Sequence, residues 1–313
     1  MLPKILLQFR QHEIGVTADI RKAFLQISFC ARERDFLKFL WWKDSNQTEI
    51  VTYRHCRVMF GISSSPFLLG TTSSYHLDDA SQDLRGTALR LKKSFYVDHF
   101  IASFETKEEI VKFKEASLTL MFSGGFNLRG WTTVPFKGRS MTSYRKIIPI
   151  LGLSWDTEND GIYCSLTTLT FSECAHTKRS LLSVSHRIFD PIGFTSPSTL
   201  IPKLILQKTW KMKLSWDENL PQGIEREFQA WLKRLHFLNY CKISRRLVIV
   251  NFDECSITLH CSGDTSKVSS AACIFLCACF EGKTSVQLEL CKSRVAPAKK
   301  VTIPRLELLE ALI

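Results

Sequence analysis

Apolar and polar positions along the first third of the chain predict strands and helices in turn. Ile14-Gly15-Val16-Thr17-Ala18-Asp19 reads as a strand ending on an acid, and Leu37 to Trp42 with Glu49 to Tyr53 as a following pair. Gly61 and Pro66 punctuate a loop before a longer helical stretch towards Leu91. Ser94 to Val97 and Phe100 to Ser103 are short apolar runs separated only by Asp98-His99. Two residues are the commonest hairpin connection, so Asp98 and His99 are predicted at a hairpin tip. Glu105 to Met121 has the spacing of an amphipathic helix, stopped by Gly124-Gly125.

The middle reads as mostly helical. Leu151-Gly152-Leu153 fits a short strand, and Asp160-Gly161 is a turn signal. Thr177 to Phe189 and Ser198 to Lys213 read as helices broken at Asp190-Pro191 and Pro197, and Ile224, Phe228, Trp231, Leu232 and Leu235 follow helical periodicity. Arg245-Arg246 and the polar stretch from Asn251 to Glu254 mark a boundary. Ile257 to Cys261, Ser270 to Phe280 and Val286 to Cys291 then read as three strands, and Pro304 opens a final helix. The fold class expected is mixed α/β (α+β).

Composition adds partners and compartment. The 313 residues carry 42 Lys plus Arg against 30 Asp plus Glu, a formal net charge of +12 that favours a polyanion. The 45% hydrophobic content is enough for a full core and excludes a disordered tail. Eleven cysteines without a Cys-x-x-Cys pair read as reduced thiols in an intracellular compartment; Cys273, Cys277 and Cys279 pack along an apolar run rather than forming a zinc knuckle. The apolar stretch before Arg10 is too short for a signal peptide, and the run Ala271 to Phe280 is about half the ~20 residues of a membrane-spanning helix. A soluble protein is expected.

Asp19 at a strand end and Asp98 at a hairpin tip are the candidates for chemistry. Taken singly, each is most simply an ordinary turn aspartate. Two acids at the ends of adjacent strands can also bridge a pair of divalent cations, as phosphoryl transfer requires. Their order and company decide between these. Asp19 to Leu25, Phe60 to Leu69, Tyr96-Val97-Asp98-His99, Gly125 to Arg129, Ile188 to Gly193, Lys292 to Pro297 and Thr302 to Leu308 resemble successive blocks of a BEL/Pao-type retrotransposon polyprotein. The resemblance implies a reverse transcriptase palm over 1–130 without the earlier fingers, a thumb and connection over 131–242, and a truncated RNase H-like mixed sheet over 243–313.

By the same resemblance Asp19 and Asp98 are the metal-binding acids of an RNA-directed DNA polymerase using two Mg²⁺ ions. Phe24 is the aromatic beneath the nucleotide sugar, although by itself it reads as a core aromatic beside a strand. Phe60 and Gly61 line the nucleotide pocket, and Leu151-Gly152 resembles the strand pair that holds the primer end. The implied partners are a template–primer RNA–DNA hybrid, a deoxynucleoside triphosphate and the missing polyprotein regions, with no membrane. Asp264 and Glu307 match two metal-binding acids of RNase H, whose remaining acids would lie past Ile313, so nuclease activity of this chain alone is not expected.

Two departures stand out. The family's Tyr-x-Asp-Asp ends here on His99, and Mg²⁺ prefers oxygen to imidazole, so polymerase activity is expected to be absent or very low. Gly130 stands where relatives carry a basic residue. The middle segment is also classed in this family as a peptidase region, but Asp156-Thr157-Glu158 and Asp264-Thr265-Ser266 lack the glycine of an aspartic peptidase turn. A non-catalytic nucleic-acid-binding relic is the main alternative to an impaired polymerase. Basic residues interleave with aromatics at Lys137 to Arg139, Arg145-Lys146, Lys203 to Lys213, Arg245-Arg246 and Lys299-Lys300, near Trp131, Phe136, Tyr144, Trp210 and Trp216. Together they fit duplex contact, though each group alone reads as a solvated helix face over core aromatics.

Overall fold

The computed structural model describes residues 2–134, 147–166, 176–248, 254–297 and 301–310. The basic and aromatic positions Phe136 to Arg139, Tyr144 to Lys146 and Lys299-Lys300 lie outside them, as does Asn251. The chain divides into two units, Glu13–Thr133 and Met1–His12 with Val134–Ile313. The first helix, α1 (Leu2–Gln11), belongs to the second unit.

In the Glu13–Thr133 unit the run Ile14 to Ile20 forms β1 (Ile14–Ile20), an almost continuously buried strand with a partner strand on each edge. The hairpin β2 (Lys38–Trp42) and β3 (Ile50–Arg54) stands apart as its own two-stranded sheet. The helical stretch towards Leu91 divides into α2 (Ser65–Asp78) and α3 (Arg85–Ser94). β4 (Phe95–Tyr96) and β5 (His99–Phe104) follow, then α4 (Lys107–Ser123) and β6 (Leu128–Thr133). The Thr106 hydroxyl accepts from the Glu109 amide to cap the start of α4, and Gly124 closes its end. The sheet runs β4-β5-β1-β6, antiparallel throughout. Phe100 and Phe104 of β5 pack on Phe113 of α4 at 5.4 and 5.0 Å between ring centres, which fixes the helix across the sheet.

The middle is mostly helical as expected, and the second unit adds a small sheet to it. β7 (Ile147–Ile150), β8 (Leu153–Asp156), β9 (Gly161–Tyr163) and β10 (Lys242–Ser244) form an antiparallel sheet of order β10-β9-β8-β7. Leu151-Gly152 is the turn between β7 and β8, with positive φ at both residues (46° and 84°). Ile243 pairs with Ile162, so it belongs to this sheet and does not start the last one. Between β9 and β10 lie α5 (Lys178–Arg187), α6 (Ser196–Lys211) and α7 (Gln222–Arg234). Pro197 sits in the first turn of α6, where its missing N–H costs nothing, so it starts the helix. Leu181, Val184, Ile205, Ile224, Phe228 and Trp231 bury the facing stripes of the three helices as one core.

The last sheet is a meander of β11 (Ser256–Thr265), β12 (Ser269–Phe280) and β13 (Lys283–Val295), followed by α8 (Ile303–Glu310). Its described strands are wholly antiparallel, where a mixed sheet was expected. Among the described residues no helix is long and apolar enough to cross a membrane.

Candidate active site

Register brings the candidate acids together. β1 and β5 pair so that Asp19 lies directly opposite His99, and the Ile20 amide donates to the Asp98 carbonyl at 3.0 Å. Tyr96 pairs with His99, so the two-residue tip is Val97-Asp98 and His99 is the first residue of β5, one position beyond the expected tip. Val97 holds φ at 59°, a left-handed conformation that a β-branched side chain resists, so the tip is locally strained.

The imidazole lies between the two carboxylates. Its Nε2 is 3.1 Å from Asp19 Oδ1, and its Nδ1 is 3.8 Å from Asp98 Oδ1. The longer contact is a charge attraction, too long for a hydrogen bond. Asp19 Oδ1 is itself sealed from solvent without a well-aligned hydrogen bond. The three groups titrate as a set. Burial raises Asp19 above the ordinary carboxylate range, Asp98 adds to this, and His99 and Arg129 oppose it. His99 holds Asp98 below that range, against its burial. Asp98 in turn lifts His99 above its ordinary value, with burial opposing and Asp19 reinforcing.

The third wall is β6. Arg129 pairs with Asp19 across the β1–β6 ladder, which shifts register between Thr17 and Asp19. Gly130 has φ at 66°, and a Cβ there would sit 3.6 Å from Asp19 Oδ2. A lysine at this position would have to adopt a backbone that L side chains rarely take. Both residues belong to the site; Arg129 lay within a matched block of the sequence, but its cross-strand partner was not readable from it.

Phe24 is buried in a short 3-10 turn just past β1 and meets the exposed Phe60 edge-to-face at 4.8 Å. Gly61 carries φ at 88°, which turns the chain away after Phe60. Asp264 lies on β11, where its Oδ1 accepts from the Thr265 amide at 2.8 Å, and Glu307 is exposed on α8. Among the described residues no group of three or more His, Cys, Asp or Glu side chains is arranged to hold a metal ion.

One expected surface cation proves structural. Arg245 is fully buried: Nε and Nη2 donate to Asp160 Oδ1 and Oδ2 at 2.6 and 2.8 Å, and Nη1 to the carbonyls of Phe9 and His12 at 2.7 and 2.9 Å. Its place in a duplex-contacting group is therefore withdrawn. Trp210 and Trp216 hold the buried Lys178 ammonium at 3.4 and 4.8 Å from their ring centres.

Residues 177–313 match the family described as Pao retrotransposon-like RNaseH-like domain. That description begins well before Ile243 and is not that of a peptidase. No curated protein matches the sequence. The fold is similar to the foamy viral protease-reverse transcriptase in complex with RNA/DNA hybrid, with a TM-score of 0.61 and 14% identity over 100% of this chain and 37% of that one. It is similar also to the same viral protein, in a form named dRH, in complex with double-stranded DNA (TM-score 0.61, 14% identity, 98% and 49% covered). A third foamy viral structure, in complex with dsDNA, gives a TM-score of 0.59 and 15% identity over 100% and 58% of the two chains. The chain thus spans 37% to 58% of the length of these structures. At such identities the likeness is one of fold: a mixed α/β chain with several small sheets, of the retroviral reverse transcriptase and RNase H type. The match over residues 177–313 is to a retrotransposon domain, and the likeness to the foamy viral structures is one of fold.

Proposed function

We propose that the chain is a BEL/Pao-type reverse-transcriptase-like fragment that holds an RNA–DNA hybrid or DNA duplex without extending the primer. The observation that carries this reading is the placement of His99 against Asp19 at the end of the β1–β5 ladder. Asp19 and Asp98 take the part of the polymerase acids, and the palm role falls to Glu13–Thr133. Phe24, Phe60 and Gly61 line the nucleotide pocket beside them, where a deoxynucleoside triphosphate would sit. The donor set fits a pair of Mg²⁺ ions poorly, because one of three oxygen donors is replaced by an imidazole that itself pairs with a carboxylate. Two carboxylates neutralise two divalent cations less well than three.

Duplex holding is supported by the net charge of +12 and by a fold shared with proteins captured on RNA/DNA hybrid and dsDNA. In the RNase H-like part, Asp264 and Glu307 take the part of two metal-binding acids. The test is fluorescence anisotropy with labelled RNA–DNA hybrid and DNA duplex across a KCl series. Binding without sequence preference, falling by roughly tenfold or more for each fourfold rise in salt, is expected. Absence of binding at low ionic strength, or binding indifferent to salt, would overturn it.

A further inference from the structure

We propose that Cys273 and Cys291 form a redox-active dithiol that closes into a cross-strand disulfide by exchange with a small disulfide. The two residues are direct partners across the antiparallel β12–β13 ladder, and their sulfurs lie 3.0 Å apart. Directly opposed residues on antiparallel strands have Cα separations of ~4.5–5.5 Å, inside the ~4.4–6.8 Å span of disulfides. The backbone therefore needs no rearrangement to accept the bond. All the described cysteines are free.

The surroundings assign an order to the chemistry. Cys273 is partly exposed, whereas Cys291 is buried and its thiol is pushed up to about 11 by burial. Cys273 as thiolate attacks the incoming disulfide, forming a mixed disulfide and releasing one small thiolate. Cys291 then loses its proton to solvent and displaces the second small thiolate. Two protein thiols and one small disulfide thus become one protein disulfide and two small thiols, with the two electrons passing to the reagent.

The bond would form beneath the turn between α5 and α6. The Cys291 amide donates to the Ile192 carbonyl at 2.7 Å, and Gly193 approaches so closely that a Cβ there would lie 1.7 Å from the Cys291 oxygen. Asp190 ties the same turn through the Gly193 and Thr195 amides, each at 2.6 Å. Oxidation therefore clamps β12 to β13, the strand whose Cys291 amide holds this turn.

The experiment equilibrates the 313-residue chain in a series of glutathione redox buffers, alkylates free thiols, and maps the peptides by mass spectrometry. The expected result is a loss of two hydrogens on one peptide pair, Cys273 with Cys291, closing as the buffer becomes more oxidising and reversing with dithiothreitol. The bond spans 18 residues, so it should also raise Tm by roughly 5–10 °C. The reduced chain should retain one equivalent of phenylarsine oxide, a dithiol reagent, and Cys273→Ser and Cys291→Ser should each lose it. If either variant fails to fold, the peptide map and arsenical stoichiometry of the unaltered chain still decide. Full alkylation of both cysteines in the most oxidising buffer, or a bond mapped to another pair, would refute the proposal.

Discussion

Two acids with cationic partners, Asp160 with Arg245 and Asp19 with His99, occupy different units and are built for opposite purposes. Arg245 carries a permanent charge, is fully buried, and spends its donors on Asp160 and on the carbonyls of Phe9 and His12. Asp160 also accepts from the Trp155 indole at 2.9 Å, and Arg10 donates to the Arg245 carbonyl at 3.2 Å. Every group there is satisfied by another fixed group. In the Glu13–Thr133 unit, Asp19 and His99 have side chains 45% and 40% exposed, the contact is single, and the cation comes and goes with pH. A saturated, permanently charged cluster is scaffold, whereas an unsaturated, titratable one keeps its charges open to solvent.

The first way to break this contrast is Arg245→Ala. Removing one partner strands Asp160 and two backbone carbonyls, so the second unit should lose about 3–5 kcal/mol in urea unfolding. Arg245→Lys should recover little of it, because an ammonium cannot form the fork. A loss below about 1 kcal/mol would place this pair among ordinary surface ion pairs. A smaller effect is expected at Gly130. Gly130→Ala should cost roughly 1 kcal/mol through the left-handed backbone at that position, read by thermal unfolding, with Asp19 still opposite His99.

The smallest effect sharpens the contrast most. NMR titration should place the His99 midpoint above its ordinary value, and His99→Ala should raise the midpoints of both Asp19 and Asp98. Because the folded value of His99 is raised, its stabilisation is complete below about pH 6.5 and is lost as pH rises through the folded value. Asp98 works in the other direction: its folded value is depressed, so its contribution is present above the ordinary carboxylate value and lost as pH falls through the lower one. Asp19, raised by burial, contributes its stability in acid and loses it as pH rises through its folded value. Partial exposure should keep each contribution under about 1 kcal/mol. A His99 midpoint below 6.5 would remove the carboxylates as its partners.

The β4-β5-β1 part of the first sheet was legible because its strands are apolar runs with acids or turn residues at their ends. The position of His99 was not, since a valine in the left-handed turn position breaks the rule that glycine or asparagine marks such tips. The sheet of β7 to β10 was read only in part, at the strand pair around Leu151-Gly152, for two reasons. Its strands are three or four residues long, and β10 returns from beyond three helices to pair with β9. Arg245 was misread because an Arg-Arg doublet carries no sign of burial, and only the tertiary partner Asp160 reveals it. The Cys273–Cys291 pair was hidden likewise, because it depends on a register set by the whole β12–β13 ladder.

The central claim is that His99 against Asp19 leaves a duplex holder that does not extend a primer. Primer extension on a homopolymer template, with Mg²⁺ and then Mn²⁺, tests it on the unaltered chain and on Asp98→Asn. The unaltered chain is expected to retain the template–primer but to show no Mg²⁺-dependent extension above Asp98→Asn. Loss of one metal ligand commonly lowers such rates on the order of a thousandfold or more. Robust extension with Mg²⁺ by the unaltered chain, abolished in Asp98→Asn, would contradict it.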